Sequence, residues 1–254
     1  MNIIINLIII LLISTNVFSR EIGQTEITTE EGIEVYQDSK YYLLKKNVQI
    51  KSDEFNLKGD LVKIFFDKSL YDIKEIEAKG SVIFDSSEFK TNGNGEFLNF
   101  KVLSEEIIID GLSSKLITDN INMFSDGMIR VNNLDGNFII KGKNSKLISE
   151  NIMILGDNIK GKFDNNFDQK EITYLDVNDK EISYVKNLST EMYAKKINFN
   201  NETSIIELIN NVTIIRDGEK IKGDYGTLDT KNNSYKIKSN NKNKVIVIIE
   251  NNDE

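Results

Sequence analysis

Apolar residues recur at every second position through much of this chain, as in Val48 and Ile50, Val82 and Phe84, Ile121 and Met123, Val212 and Ile214, and Tyr235 and Ile237. That period places one face of a segment in a core and the other in water only when the backbone is extended, so it calls for strands. Helical spacing of apolar residues is hardly sustained anywhere. Gly and Asn punctuate the pattern, and Pro is absent from all 254 residues. Gly80, Gly95, Gly111, Gly127, Gly142 and Gly156 recur at intervals of 14 to 16 residues, which suits a strand plus its turn. Asp110-Gly111, Asp126-Gly127, Asp135-Gly136 and Asp217-Gly218 read as hairpin signals, because type I′ turns need positive φ at both central residues. The expected fold is an antiparallel all-β meander, one continuous domain from about Gln24 to Glu250.

Composition removes several function classes. With no Cys and no His, the chain lacks disulfides, thiolate chemistry, the commonest general base and the commonest metal ligand. A net charge of −8, from 32 Lys and Arg against 40 Asp and Glu, opposes nucleic acid, whose binding is dominated by Lys/Arg neutralisation of phosphates. The first segment, Met1 to Ser19, carries an apolar stretch from Ile3 to Ile13 followed by small and polar residues, which is the layout of a secretory signal. It is shorter than the roughly 20 residues that cross a bilayer. The expected division is a signal peptide or short anchor over 1–19 and a single β domain over 20–254. Export without disulfides points to a bacterial envelope.

Other features read as surface. Asp164-Asn165-Asn166-Phe167-Asp168 offers oxygen ligands at short spacing but lacks the Gly and the distant bidentate Glu of a calcium-binding EF-hand loop. The sequons at Asn201 and Asn211 are unsurprising in so Asn-rich a chain. Glu105-Glu106 has no partner at glycosidase geometry that the sequence can supply. No catalytic residue, metal site or cofactor is expected.

An internal repeat sharpens the reading. Asn47-Val48-Gln49-Ile50 is followed by Leu57-Lys58-Gly59-Asp60, and Asn211-Val212-Thr213-Ile214 by Ile221-Lys222-Gly223-Asp224 at the same spacing. Shorter echoes set Val82 and Phe84 before Gly93, and Val131 before Gly142. Each reads as a strand, a turn and a return strand whose Gly admits a close backbone or a bulge.

These words resemble the periplasmic lipopolysaccharide-transport proteins of the LptA and LptC type, also called OstA-like or organic-solvent-tolerance proteins. The match at motif level covers Asn47 to Ile83 and Asn211 to Ile237. One departure is that the aromatic often found four residues after the Asp is Ile64 in the first copy and Leu228 in the second. The resemblance implies an elongated, slightly twisted, open β-jellyroll of antiparallel strands. It also implies a non-enzymatic, periplasmic role in carrying lipopolysaccharide to the outer membrane. The alternative is a structural β-rod of the envelope in which the repeat only builds length.

A lipid carrier needs an apolar trough, since each methylene left in water costs about 0.8 kcal/mol. The candidate inner face is Val48, Ile50, Val82, Phe84, Ile107, Ile109, Phe138, Ile140, Ile152, Ile154, Val212 and Ile214, the same residues that would fill an ordinary β core. The implied partners are lipopolysaccharide and other bridge components joined by edge-strand pairing, including a head-to-tail copy of this chain. The run from Val245 to Ile249 is apolar on both faces. Val245, Val247 and Ile249 form the candidate donor edge, with Tyr41 to Leu44 or the strand at Val48 as acceptor. The same run would also serve as the last buried strand of the core.

Overall fold

A computed structural model describes residues 22–69, 72–150, 152–164, 170–240 and 243–249. The candidate signal segment lies outside them, as do the residues after Asp164 in the stretch considered for calcium. Every described strand belongs to one 20-stranded sheet system.

The chain opens with a meander of four long strands, β3 (Tyr41–Lys51), β4 (Phe55–Phe66), β5 (Ile73–Ser86) and β6 (Thr91–Lys101). It closes with four more, β15 (Glu171–Asn187), β16 (Thr190–Asn200), β17 (Ile205–Arg216) and β18 (Glu219–Asp229). Six of these eight break register near the middle, between Lys45 and Val48, Lys58 and Leu61, Lys79 and Val82, Asn178 and Ser183, Tyr193 and Lys196, and Ile209 and Val212. Extra residues in a ladder bend the strand, so the breaks fold the sheet along one line into two leaves. At Lys46-Asn47, Gly80-Ser81 and Asn210-Asn211, both residues of the break have positive φ.

Between the long strands each leaf has short strands of its own. The first leaf uses β7 (Glu106–Asp110), β10 (Met128–Asn132), β11 (Asn137–Lys141) and β14 (Asn158–Asp164). The second uses β8 (Ser114–Thr118), β9 (Ile121–Ser125), β12 (Lys146–Ser149) and β13 (Ile152–Leu155). β7 and β8 pair with opposite halves of β6, and β14 and β13 with opposite halves of β15. Both leaves therefore run unbroken from end to end, with all pairings antiparallel. At about 4.8 Å per strand the assembly extends roughly 60 Å. It is an elongated antiparallel β-jellyroll.

The glycine cadence marks the corner between the leaves more than the hairpins. Asp217-Gly218 does form a two-residue turn, with φ of 50° and 82°, and Asp135-Gly136 lies in the loop joining the paired strands β10 and β11. Asp110-Gly111 and Asp126-Gly127 differ from expectation. They carry the chain across the corner, from β7 to β8 and from β9 to β10, strands that do not pair with each other. Because the leaves converge there, the cross-strand partner of an inward Val is a Gly: Val48 faces Gly59, Val82 faces Gly95, and Val212 faces Gly223. A Cβ on Gly95 would sit 2.5 Å from Ile109 Cγ2, across the corner. The full repeat is therefore a corner motif. The shorter echoes are not, since Gly93 pairs with Phe84 and Val131 with Phe138.

At the ends, β2 (Ile33–Tyr36) and β1 (Glu26–Thr28) cover the two halves of β3, while β19 (Ser234–Lys238) and β20 (Ile246–Ile249) cover the two halves of β18. This corrects the acceptor edge. The halves of β3 at Tyr41 to Leu44 and at Val48 are already paired on both sides, and the end strands are β2 and β1.

Candidate functional site

The inward side chains of both leaves form one continuous apolar cluster from Leu44 to Leu228. Of the candidate inner-face residues, Val48, Ile50, Val82, Phe84, Ile107, Ile109, Phe138, Ile140, Ile154, Val212 and Ile214 are buried in it. Ile152, at the mouth end of β13, is half-buried and packs against the cluster. The interior is filled by side chains, Phe138 stacking on Phe163 at 6.0 Å between ring centroids.

Opposite the corner, the leaves meet at a mouth with no ladder between them among the described strands. Side chains close it. Phe55 and Phe89, from the second leaf, reach Phe100 on the first, with centroids 6.1 and 5.7 Å apart. Further along, Lys170, just before β15 in the first leaf, crosses to the second. Its Nζ donates to Thr118 Oγ1 at 2.5 Å and to Asn133 Oδ1 at 3.1 Å, and lies 4.6 Å from the Phe163 ring centre. Its backbone N–H donates to Asp119 Oδ2 at 3.1 Å. Burial pulls the Lys170 ammonium down to about 8, against the opposing pull of Asp119 and Glu105.

The second leaf carries buried hydroxyls that the apolar alternation did not reveal. Ser86, Thr91, Thr118, Ser149 and Thr190 stand at strand ends along the mouth, and Ser114, Ser125, Ser145 and Ser183 along the corner. The corner set is satisfied locally: Ser114 and Ser145 donate to the carbonyls of Gly111 and Gly142, both at 2.8 Å. At the mouth, Thr91 Oγ1 donates to Thr118 Oγ1 at 3.0 Å. The signal was present in Ser114-Lys115-Leu116-Ile117-Thr118, where polar and apolar residues share one phase. A search confined to apolar residues passes over it.

Glu106 lies on the outer side of the first leaf. Burial would raise its carboxyl, but Arg130 and Lys101, the latter at 3.1 Å, outweigh it and hold the group below its ordinary value. That is a surface ion-pair cluster. Among the described residues no group of three or more His, Cys, Asp or Glu is placed to hold a metal ion.

The candidate edge strand is exposed on both faces, with Val245, Val247 and Ile249 at 42%, 54% and 64% exposure. It is therefore not a buried core strand. Val247 pairs with Ile221 and Ile249 with Glu219, so Val247 and Ile249 share the inward phase of β18. At the other end, Ile33 and Val35 of β2 are also exposed.

Fold and site together define the class: an elongated, two-leaved β-jellyroll with a continuous apolar interior, a mouth closed by aromatic and polar side chains and, among the described strands, an unpaired edge at each end of each leaf. No family model matches the chain, and no curated protein matches it. Among solved structures it is similar to the crystal structure of LptH, the LptA-homologous periplasmic component of the conserved lipopolysaccharide transport device of Pseudomonas aeruginosa. That alignment has a TM-score of 0.23 and 8% identity over 89% of this chain and 95% of that one.

Proposed function

We propose that this chain is a non-enzymatic, exported, periplasmic protein that takes the acyl chains of lipopolysaccharide between its two leaves and helps carry the lipid to the outer membrane. The observation that carries the reading is that, among the described residues, the apolar interior is closed along the mouth by side-chain contacts and no strand ladder crosses it. Parting the leaves about the corner would cost apolar contacts and the few bonds of Lys170, and would break no pairing among the described strands. An inserted acyl chain replaces those contacts, at about 0.8 kcal/mol per methylene removed from water. The motif resemblance at Asn47 to Asp60 and Asn211 to Asp224 supports the same role. The filled interior is what favours a second reading, a structural rod with no lipid.

Strand directions support a bridge built of head-to-tail copies. β20 runs from the corner to the mouth, antiparallel to its neighbour β18, and β1 runs from the mouth to the corner, antiparallel to β3. β19 and β2 are opposed in the same way on the other leaf. When two copies are stacked in line, both leaves continue as antiparallel sheets, and exposed N–H and C=O groups of the end strands find partners.

The reading is tested by solvent extraction of the protein purified without detergent from a lipopolysaccharide-producing envelope, followed by mass spectrometry. The expected result is an acylated glycolipid in amounts comparable to the protein. Protein free of acyl lipid would favour the rod.

A further inference from the structure

Lys170 lies in no strand, yet its ammonium is drawn into the mouth between the leaves. Among the described residues Nζ donates to neutral oxygens, Thr118 Oγ1 and Asn133 Oδ1, and lies over the ring of Phe163, with the carboxylates of Asp119 and Glu105 near but not hydrogen-bonded to it. A buried cation whose direct hydrogen-bond acceptors are neutral, with its carboxylates only nearby, is less fully compensated than one in a direct ion pair. Lys90, on the β5–β6 turn, is near enough to disfavour the charge further, while Asp119 and Glu105 favour it. Just inside the neighbouring lip lie the buried hydroxyls of Thr91 and Thr118, bonded to each other. An ammonium, a second lysine and a row of hydroxyls above an apolar interior match one kind of ligand, an amphiphile with an anionic head.

We propose that Lys170, with Thr118 and Lys90, is a headgroup subsite that takes a phosphate or carboxylate at the mouth while the attached chain enters between the leaves. The proposal rests on the lipid-carrier reading and adds a fixed place and polarity for the head. Thr118 and Asn133 hold the ammonium when the trough is empty. An anionic head draws it off them, and the contacts that close this stretch of the mouth are then replaced by the ligand. Charge-assisted bonds to an oxyanion exceed neutral ones in strength, so the exchange favours the anion.

The test compares dodecyl phosphate, dodecyl maltoside and inorganic phosphate by calorimetry, against the wild-type chain and Lys170→Met. Wild type should bind dodecyl phosphate at least tenfold more tightly than dodecyl maltoside. Lys170→Met should erase that preference, so that dodecyl phosphate and dodecyl maltoside bind within about twofold of each other, while an unchanged far-ultraviolet dichroism spectrum shows that the variant is folded. Lys170→Arg should keep the preference. Equal phosphate preference in wild type and Lys170→Met overturns the subsite while leaving the carrier reading intact. Failure of both amphiphiles to bind overturns the carrier reading and the subsite with it. Binding of inorganic phosphate as tightly as dodecyl phosphate would show an anion site unconnected with lipid and also overturn the proposal.

Discussion

Replacing Ile214 with Asp should leave the chain unable to form its sheet at neutral pH. Ile214 is 1% exposed, stands between Met192 and Ile221 on adjacent strands, and has only apolar surroundings on the inner face. A carboxylate there has no cation to meet, and the cost is several kcal/mol whether it stays charged or takes up a proton. Since a domain's whole stability is about 5–15 kcal/mol, one such substitution consumes much or all of it. Far-ultraviolet circular dichroism with urea titration should show the strand signal lost, or the midpoint sharply lowered. The neighbouring Thr213→Asp, on the outward phase of the same strand, should shift stability by about 0.5 kcal/mol or less. Equal effects at the two positions would mean that the assigned faces are wrong. A milder change, Ile214→Val, costs about 0.5–1.5 kcal/mol and keeps the fold. It is the variant on which lipid loading can be compared with stability.

Ending the chain at Asn243 should abolish head-to-tail assembly while leaving the jellyroll folded. All four residues of β20 are exposed on both faces, so their removal takes little apolar surface out of the core. It does uncover the β18 half that β20 pairs with, Glu219 to Lys222. That new edge carries Lys220 and Lys222, and edge lysines discourage strand addition. Sedimentation over a wide concentration range should show the mature full-length protein growing into larger species and the truncated protein remaining a monomer with an unchanged dichroism spectrum. A full-length protein that stays monomeric at high concentration defeats the edge-pairing idea. So does a truncated one that unfolds, because β20 would then be part of the core.

Much of this architecture was legible in the sequence because a leaf with one dry face and one wet face imposes a period of two residue by residue. Val82 and Phe84 or Val212 and Ile214 could be placed on the inner face without coordinates, whereas the final run, apolar on both faces, fitted an edge and a last buried strand equally well. The corner was harder to read. A glycine after an aspartate has the same local chemistry in a hairpin and in a bend that crosses between leaves, and only the pairing partner separates Asp217-Gly218 from Asp110-Gly111. The acceptor edge was misplaced for a related reason. β1 and β2 are short, of three and four residues, too brief for alternation to stand out, so β3 looked like the first strand. Lys170 was invisible because its role depends on a crossing from one leaf to the other, between residues separated by 52 positions.

The filled interior and the lipid carrier are reconciled only if acyl chains enter between the leaves, and site-specific photo-crosslinking in lipopolysaccharide-producing cells measures that directly. A photoreactive residue at Ile154, buried on the inner face, should yield adducts with lipopolysaccharide. The same residue at Ile83, 55% exposed on the outward face, should yield none. Adducts from both positions alike, or from neither, would contradict the account.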